Sequence, residues 1–324
     1  MHKQNTQINS IILLRAIAAL GVCFVHIQMA TGFKINPFFD YLFINGQQGV
    51  AVFFVISGFV LPYSLFKKNY QINDFFNFIL KRSIRVDPPY WCCIVLLFLL
   101  VPLPLSDLNV KTVFLHVTYL VPFIKSAHWY SDIFWTLSIE FQFYIILGLL
   151  YPLFSRLHSS LSISIVILLS ALCIKYTVRG IIIGNVYQFA FGYMAFLAYT
   201  KLVNRRWFWI VFIVFSIYII CAKSIISGVI PALTVVFLIL FNNSIKVPIL
   251  NFLGKISYSL YLVHIPASLI AIRLLGPRLS NSGIMFIACL LLSVLIAYVF
   301  FLFIEKPALK LSKSINLHKD ESVG

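Results

Sequence analysis

Long apolar runs separated by short polar or basic stretches make up most of the chain. A helix that crosses about 30 Å of hydrocarbon needs about 20 apolar residues, and about ten runs approach that length. The pattern therefore predicts an all-α, polytopic membrane helix bundle of about ten transmembrane helices. The predicted spans are 10–30, 46–66, 90–105, 134–154, 161–177, 181–200, 207–222, 226–242, 251–274 and 281–304.

No stretch between these runs is long enough for a separate soluble domain. We therefore expect a single membrane-embedded domain over residues 1–324, with a core at about 8–308 and a short cytoplasmic tail at 309–324. No small-residue cleavage site follows the first run, so we expect it to remain as a transmembrane helix rather than to be removed as a signal peptide.

Composition and charge support the membrane interpretation. Of 324 residues, 61% are hydrophobic and 10% are charged, and the formal net charge is +16. Because the basic residues lie in short loops and not on a soluble surface, we expect no nucleic-acid partner. An even number of spans places both termini on one side, and most Lys and Arg residues fall on that side. The positive-inside rule then predicts that both termini are cytoplasmic.

Arg15 and His26 are ionisable residues within the first predicted span. Their separation of 11 residues places both side chains on one helix face, about 16 Å apart along the axis. This spacing suits coenzyme A, because an arginine can bind its phosphates while a histidine acts as general base at the reacting end. The alternative is an arginine that extends to the membrane surface and a histidine hydrogen-bonded between helices.

A basic cluster, Lys81, Arg82 and Arg85, precedes the third predicted span, in what we expect to be a loop. Arg82 and Arg85 would be neighbours on a helix, and two such guanidinium groups can bind phosphate or pyrophosphate. The same residues would equally serve as a positive-inside anchor or as a contact for lipid headgroups.

Carboxylates also occur in or beside the predicted spans. Glu140 lies in the span 134–154, and Asp132 lies shortly before it. Glu140 can receive a proton or orient a histidine, or can form a structural ion pair. His264 is expected near the middle of the ninth span. Asp87 and Glu305 are expected at helix boundaries with mainly structural roles.

Cysteine spacing gives no indication of a metal site or of a disulfide framework. None of the six cysteines shows a C-x-x-C spacing, and each lies in or beside an apolar run. We therefore expect small buried hydrophobic side chains and no metal. The six are Cys23, Cys92, Cys93, Cys173, Cys221 and Cys289.

Six segments, in this order over about residues 8–308, resemble the acyltransferase-3 family of integral-membrane acyltransferases. They are the Arg15/His26 pair, G-V-A-V-F-F-V-I-S-G-F (49–59), R-S-I-R-V-D-P-P-Y-W (82–91), W-T-L-S-I-E-F-Q-F-Y (135–144), L-G-K-I-S-Y-S-L-Y-L-V-H (253–264) and I-E-K-P (304–307). Some members carry a fused SGNH-type domain, which these 324 residues do not contain.

The resemblance implies an O-acetyltransferase in the plasma membrane, which is the inner membrane if the organism is Gram-negative. It implies acetyl-CoA as cytoplasmic donor and a lipid-linked or surface glycan, such as lipopolysaccharide O-antigen, as acceptor. By motif match it implies catalytic roles for His26, Glu140 and Arg15, and donor binding by Arg82, Arg85 and Arg15.

Two other classes of function remain open on the sequence. Intramembrane Arg, His and Glu residues would also suit a transporter or flippase for a lipid-linked sugar or small anion. A non-catalytic binding subunit of a glycan-assembly complex is the other alternative. The first of these is disfavoured because the sequence shows no internal repeat with matching interrupted helices.

Overall fold

The structure is a computed structural model, and it describes residues 9–100, 109–241 and 247–317. These residues form helices joined by short turns, and no strand occurs among them. The helices are α1 Asn9–Thr31, α2 Pro37–Ile44, α3 Gly49–Lys67, α4 Phe75–Leu100, α5 Val110–Val117, α6 Phe134–Phe154, α7 Ser159–Cys173, α8 Val186–Tyr199, α9 Arg205–Ala222, α10 Ile225–Leu240, α11 Pro248–Lys255, α12 Ser257–Leu275, α13 Ser282–Phe300 and α14 Lys306–Ser314.

The all-α multi-pass membrane fold is confirmed. Within the described ranges, seven helical stretches are long and apolar enough to cross a membrane. Two further apolar helices, α7 and α10, are shorter, and α8 is lengthened by a 3-10 turn at Ile183–Asn185. Each predicted span overlaps at least one of these helices, whereas the count of ten crossings stays a prediction.

The two ends of the bundle can be named from α1. We call the end where α1 begins the basal end and the end where α1 finishes the distal end. At the basal end, α14 folds back against the start of α4: Lys81 Nζ donates to the Ile315 carbonyl at 2.8 Å, and Ser312 Oγ donates to the Lys81 carbonyl at 2.8 Å. The chain after α13 is thus packed onto the bundle.

The predicted start of the third span at residue 90 is wrong. Helix α4 begins at Phe75, so the basic cluster lies on a helix and not in a loop. Charged residues followed by Pro88 and Pro89 are typical of a loop, so the sequence pattern predicted a start that is too late. In a bundle, neighbouring groups can satisfy the backbone carbonyls that proline leaves free. Residues 101–105 of that predicted span lie outside the described residues.

The ninth and tenth spans also differ from the prediction. Helix α11 ends at Lys255 and α12 begins at Ser257, whereas α13 continues through a π-helical turn, Phe301–Glu305, into α14. Asp87 and Glu305 were expected at helix boundaries, but Asp87 lies inside α4 and Glu305 lies in the π-turn. The buried Asp87 accepts a hydrogen bond from the Tyr119 hydroxyl at 2.8 Å, which is a structural contact.

The cysteines are all free thiols, and they are not all buried. Cys23, Cys93 and Cys289 are buried, as predicted, but Cys221 is exposed on α9. An apolar residue on the outer face of a membrane helix meets lipid and not water, so this exposure costs little.

Two large hydrophobic cores and one small cluster hold the described part of the bundle together. One joins α1, α4, α6, α12 and α13, and the other joins α3, α7, α8, α9 and α10. Within the second core, α3 and α8 approach so closely that their backbones touch at Gly58 and Gly192. Small residues permit such contact between membrane helices.

Substituting Gly192→Ala tests this packing. A Cβ at residue 192 would lie 2.7 Å from backbone atoms of Gly58, closer than real Cβ contacts. Alanine favours a helix by about 1 kcal/mol, but overpacking costs about 1–3 kcal/mol. We expect the purified, detergent-solubilised variant to show a Tm lowered by several degrees, measured by the loss of the monodisperse peak after heating.

Gly283→Ala is the matched control. The three atoms nearest to a Cβ there belong to the side chains of Phe33 and Asn281, at 3.0–3.5 Å, and none is a backbone atom. The Phe33 ring can shift by a few tenths of an ångström, and the Asn281 contact at 3.2 Å is looser than the backbone contacts at Gly192, so the Tm should stay close to that of the wild type. An unchanged Tm for Gly192→Ala would show that α3 and α8 are not in backbone contact.

Candidate active site

Helix α12 contacts both ionisable residues of α1. Arg15 Nε donates to Ser257 Oγ at 3.0 Å, at the start of α12. Eleven residues further along α1, His26 meets His264 in the middle of α12. One partner helix contacts both residues, which agrees with the shared helix face predicted from their spacing.

An arginine-rich cavity of about 540 Å³ opens towards the basal end. Its wall contains Arg15, Arg82, Arg85 and Glu140, so the structure brings these four predicted residues together. Lys255 and Lys313 also line it, which gives five cations against the two carboxylates Glu140 and Glu305. We call it the arginine cavity; the excess of cations favours a polyanionic ligand.

Arg82 is the most deeply buried cation of this cavity. It is 8% exposed, its guanidinium lies 5.5 Å from the Phe78 ring centre, and its Nε–H has no hydrogen-bond partner among the described residues. A buried donor without a partner is costly, and in native proteins it calls for a specific explanation. A ligand acceptor in the cavity would supply the missing partner.

Glu140 faces this cavity from α6. Its Oε1 accepts a hydrogen bond from Ser57 Oγ of α3 at 2.9 Å, and its carboxylate also interacts with the Tyr144 hydroxyl. Glu140 thus lies with Arg15, Arg82 and Arg85 in the arginine cavity and not beside His26. Sequence reasoning missed Ser57, although it lies within a motif that carried the resemblance.

Glu305 reaches the same cavity because of the π-turn. Its Oε2 accepts hydrogen bonds from the backbone N–H and the hydroxyl of Ser259, at 3.0 and 2.5 Å. A carboxylate that accepts from this N–H in the first turn of α12 satisfies a free backbone donor and stabilises the helix dipole. Lys313 and Leu309 line the cavity as well, although the sequence placed them in a tail.

A second cavity of about 710 Å³ opens towards the distal end, and His26 lies in its wall. We call it the histidine cavity. Its charged residues are Lys223 and the Asp132–Arg179 pair, whose Oδ1 and Nη2 atoms lie 2.9 Å apart. Asp132 is therefore paired and does not contact Glu140.

Amide side chains give the histidine cavity its polar character. The four are Gln47, Gln48, Asn185 and Gln188. Gln188 is 6% exposed, and its Oε1 has no hydrogen-bond donor within the described part of the chain. Amides offer both a donor and an acceptor, which matches the hydroxyl groups of a sugar. No sequence motif distinguished these residues.

Tyr261 and Val50 line both cavities and so stand between them. The Tyr261 hydroxyl contacts Thr136 Oγ1 at 2.7 Å and donates to the Ile133 carbonyl at 3.2 Å. The ring is thus held from α6. A group that passes from one cavity to the other must pass these two side chains.

The arrangement permits transfer between two ligands that enter from opposite ends. A polyanion would occupy the arginine cavity, and a hydroxyl-bearing molecule would lie beside His26 in the histidine cavity. Across the described ranges, no group of three or more His, Cys, Asp or Glu side chains is placed to hold a metal ion.

Residues 8–302 match the family described as "Acyltransferase domain", of the acyltransferase-3 type. The chain is 28% identical over 171 residues to Nodulation protein 10 of Rhizobium leguminosarum bv. viciae, in an alignment that covers 46% of this chain and 45% of that protein. No solved structure matches.

The family match covers almost the whole chain and all five candidate residues of the two cavities. The chain spans about half the length of the curated relative that it matches. The family match covers residues 8–302, so the chain belongs to the acyltransferase-3 family.

Proposed function

We propose that this acyltransferase moves an acetyl group from cytoplasmic acetyl-CoA to a hydroxyl of an extracytoplasmic cell-surface polysaccharide, such as lipopolysaccharide O-antigen. The observation that carries the proposal is the pair of cavities, one cationic and one amide-lined, which open to opposite ends and share Val50 and Tyr261. Such an arrangement suits a donor and an acceptor that are found on opposite sides of a membrane.

The charges of the arginine cavity support a CoA donor. The nucleotide part of CoA carries several phosphate charges, and guanidinium groups bind phosphate oxygens in a bidentate manner. Arg82 and Arg85 would bind the phosphates, and Arg15 lines the same cavity on the helix that carries His26. Lys255 and Lys313 are exposed at the cavity wall and would attract the donor from solution.

The polar groups of the histidine cavity support a glycan acceptor. Gln188 Oε1 needs a hydrogen-bond donor, and a sugar hydroxyl would supply one. A lipid-linked or surface glycan would approach from the distal end, where this cavity opens.

The orientation follows from charge. Lys67, Lys68, Lys81, Arg205 and Arg206 lie towards the basal end, and the positive-inside rule makes that end cytoplasmic. The arginine cavity would then face cytoplasmic acetyl-CoA. We place the protein in the plasma membrane, which is the inner membrane if the organism is Gram-negative.

The chemical step needs one base. His26 Nε2 takes the proton of the acceptor hydroxyl while the oxygen attacks the thioester carbonyl carbon. The carbon–sulfur bond breaks, the proton passes to the leaving sulfur, and free CoA and an acetyl ester result. Glu140, held by Ser57, balances the arginine charges and keeps them in place for the phosphates.

Substituting His26→Ala tests the base. Loss of a general base lowers a rate by about 10²–10⁴-fold, so we expect almost no O-acetyl groups on the surface polysaccharide of cells that carry the variant. Mass spectrometry of the polysaccharide measures this as loss of the acetyl mass increment per repeat unit.

The control for this experiment is His158→Ala. The His158 side chain is exposed, forms a hydrogen bond with Ser160 and lines neither cavity, so its removal should leave acetylation unchanged. Full acetylation by a folded His26→Ala protein would rule out His26 as the general base. If purified wild-type protein released no free CoA from acetyl-CoA and deacetylated polysaccharide, a transporter or flippase would become the better interpretation.

Substituting Arg82→Ala together with Arg85→Ala tests the donor site. Each hydrogen bond to a charged group contributes about 1.5–3 kcal/mol, so the Kd for CoA should rise at least tenfold. Isothermal titration of the detergent-solubilised protein with CoA measures the change.

Arg205→Ala with Arg206→Ala is the matched control, because this exposed pair lies at the same end but lines neither cavity. Pantetheine, which lacks the phosphates, should bind equally to wild type and to the Arg82/Arg85 variant. An unchanged Kd for CoA in that variant would contradict phosphate binding by these arginines.

A further inference from the structure

Two histidines from different helices form a buried pair beside the histidine cavity. His264 Nε2 lies 3.2 Å from His26 Nδ1, and the ring centres are 5.1 Å apart. His264 is 0% exposed, whereas His26 is half-buried and lines the cavity. His264 lines neither cavity, so a ligand in the histidine cavity would contact His26 and not His264.

The hydrogen-bond partners of His264 determine where its proton lies. Its Nδ1 is 2.8 Å from the Tyr261 carbonyl oxygen and 3.1 Å from the Leu260 carbonyl oxygen. Carbonyl oxygens only accept hydrogen bonds, so Nδ1 must carry the hydrogen. In the neutral ring, Nε2 then carries a lone pair that faces His26.

The same reasoning applies to His26. Its Nδ1 lies 2.9 Å from the Val22 carbonyl oxygen and 3.2 Å from His264 Nε2, whose lone pair faces it. Both neighbours are acceptors, so His26 Nδ1 also carries a hydrogen. His26 Nε2 is left with a lone pair and has no partner among the described residues, in the form that a general base requires.

The position of His264 is itself fixed by hydrogen bonds. Its carbonyl accepts from Ser268 Oγ at 2.6 Å and from Ser293 Oγ of α13 at 3.4 Å. Two residues further on, Pro266 has no N–H for the Leu262 carbonyl, and Cys93 of α4 donates its thiol to that oxygen at 3.2 Å. The break in the α12 ladder is therefore filled from α4, and the His264 ring is held firmly.

We propose that His264 is a positioning residue that holds His26 with its Nδ1 protonated and its Nε2 lone pair directed into the histidine cavity. The proposal rests on the proposed role of His26 as base. When His26 takes a proton from the hydroxyl of the acceptor substrate, its Nδ1–H donates to His264 Nε2 and to the Val22 carbonyl. These two hydrogen bonds stabilise the positive charge of the imidazolium. No carboxylate bonds to either ring in the described part of the chain, so a neutral imidazole takes the place that a carboxylate holds in many catalytic triads.

The tautomer can be measured without any activity assay. We would label the purified protein with nitrogen-15 histidine, record its ring-nitrogen resonances and assign His26 by comparison with His26→Asn. In wild type we expect the Nδ1–H tautomer at His26. His264→Leu removes one of the two acceptors and leaves only the Val22 carbonyl, so we expect part of the population to shift to the Nε2–H tautomer. An Nε2–H tautomer in wild type would overturn the proposal, as would an unchanged tautomer in a folded His264→Leu protein.

Kinetics separate positioning from mere folding. Partners that orient a functional histidine contribute about 10–100-fold. His264→Leu should therefore lower kcat for CoA release by that factor, with deacetylated surface polysaccharide as acceptor, and leave the KM for acetyl-CoA unchanged. His264→Gln keeps an acceptor near the Nε2 position, so it should restore the Nδ1–H tautomer and most of kcat. Equal losses in both variants, with little folded protein, would indicate a structural role instead.

His116→Gln is the matched control. His116 is also buried, with Nδ1 at 2.9 Å from the Thr112 carbonyl and Nε2 accepting from the Tyr130 N–H, but it lines neither cavity. Burial lowers the pKa of His116 to about 4, so it is neutral at the pH of the assay. Its substitution should leave the His26 tautomer unaltered. If His26→Ala abolishes transfer while His264→Leu does not, the acetyltransferase stands and only the positioning role fails.

Discussion

The burial of arginine side chains inside an apolar bundle is the constraint on which the rest of this structure depends. A charged group within a bilayer costs several kcal/mol unless other groups offset it. Here Arg15 is bonded to Ser257, Arg82 lies against the Phe78 ring, and Glu140 and Glu305 supply negative charge nearby. The Arg15–Ser257 bond joins α1 to α12, and α4 and α6 contribute the other charged residues of the cavity wall.

Helix α12 links this cationic site to the histidine pair. Its first turn is capped by Glu305 and receives Arg15 through Ser257, its second turn carries Tyr261, and the next turn carries His264. A displacement of α12 at the arginine cavity would therefore reach Tyr261 and His264, which lie further along the same helix. The break at Pro266, filled by Cys93, lies on the far side of His264 and leaves these three positions on one regular helical segment.

The membrane fold and the two residues on α1 could be predicted because they depend on local spacing. Apolar run length sets the helices, and a separation of 11 residues places Arg15 and His26 on one face. The limits of α4 could not be predicted in this way, because charged residues and two prolines normally indicate a loop. Only the neighbouring helices show that these charges face a cavity and that the helix continues through them.

Sequence by itself determined the class of protein, the approximate helices and the short set of ionisable residues that a bilayer tolerates only for a reason. Tertiary structure decided which of those residues share a cavity: Glu140 lies with the arginines, and His26 lies in a separate cavity beside His264. Residues 26 and 264 are 238 positions apart, so no local pattern relates them. The tautomer of a histidine depends on the atoms around its ring, and those atoms come from packing between helices and not from neighbours along the chain.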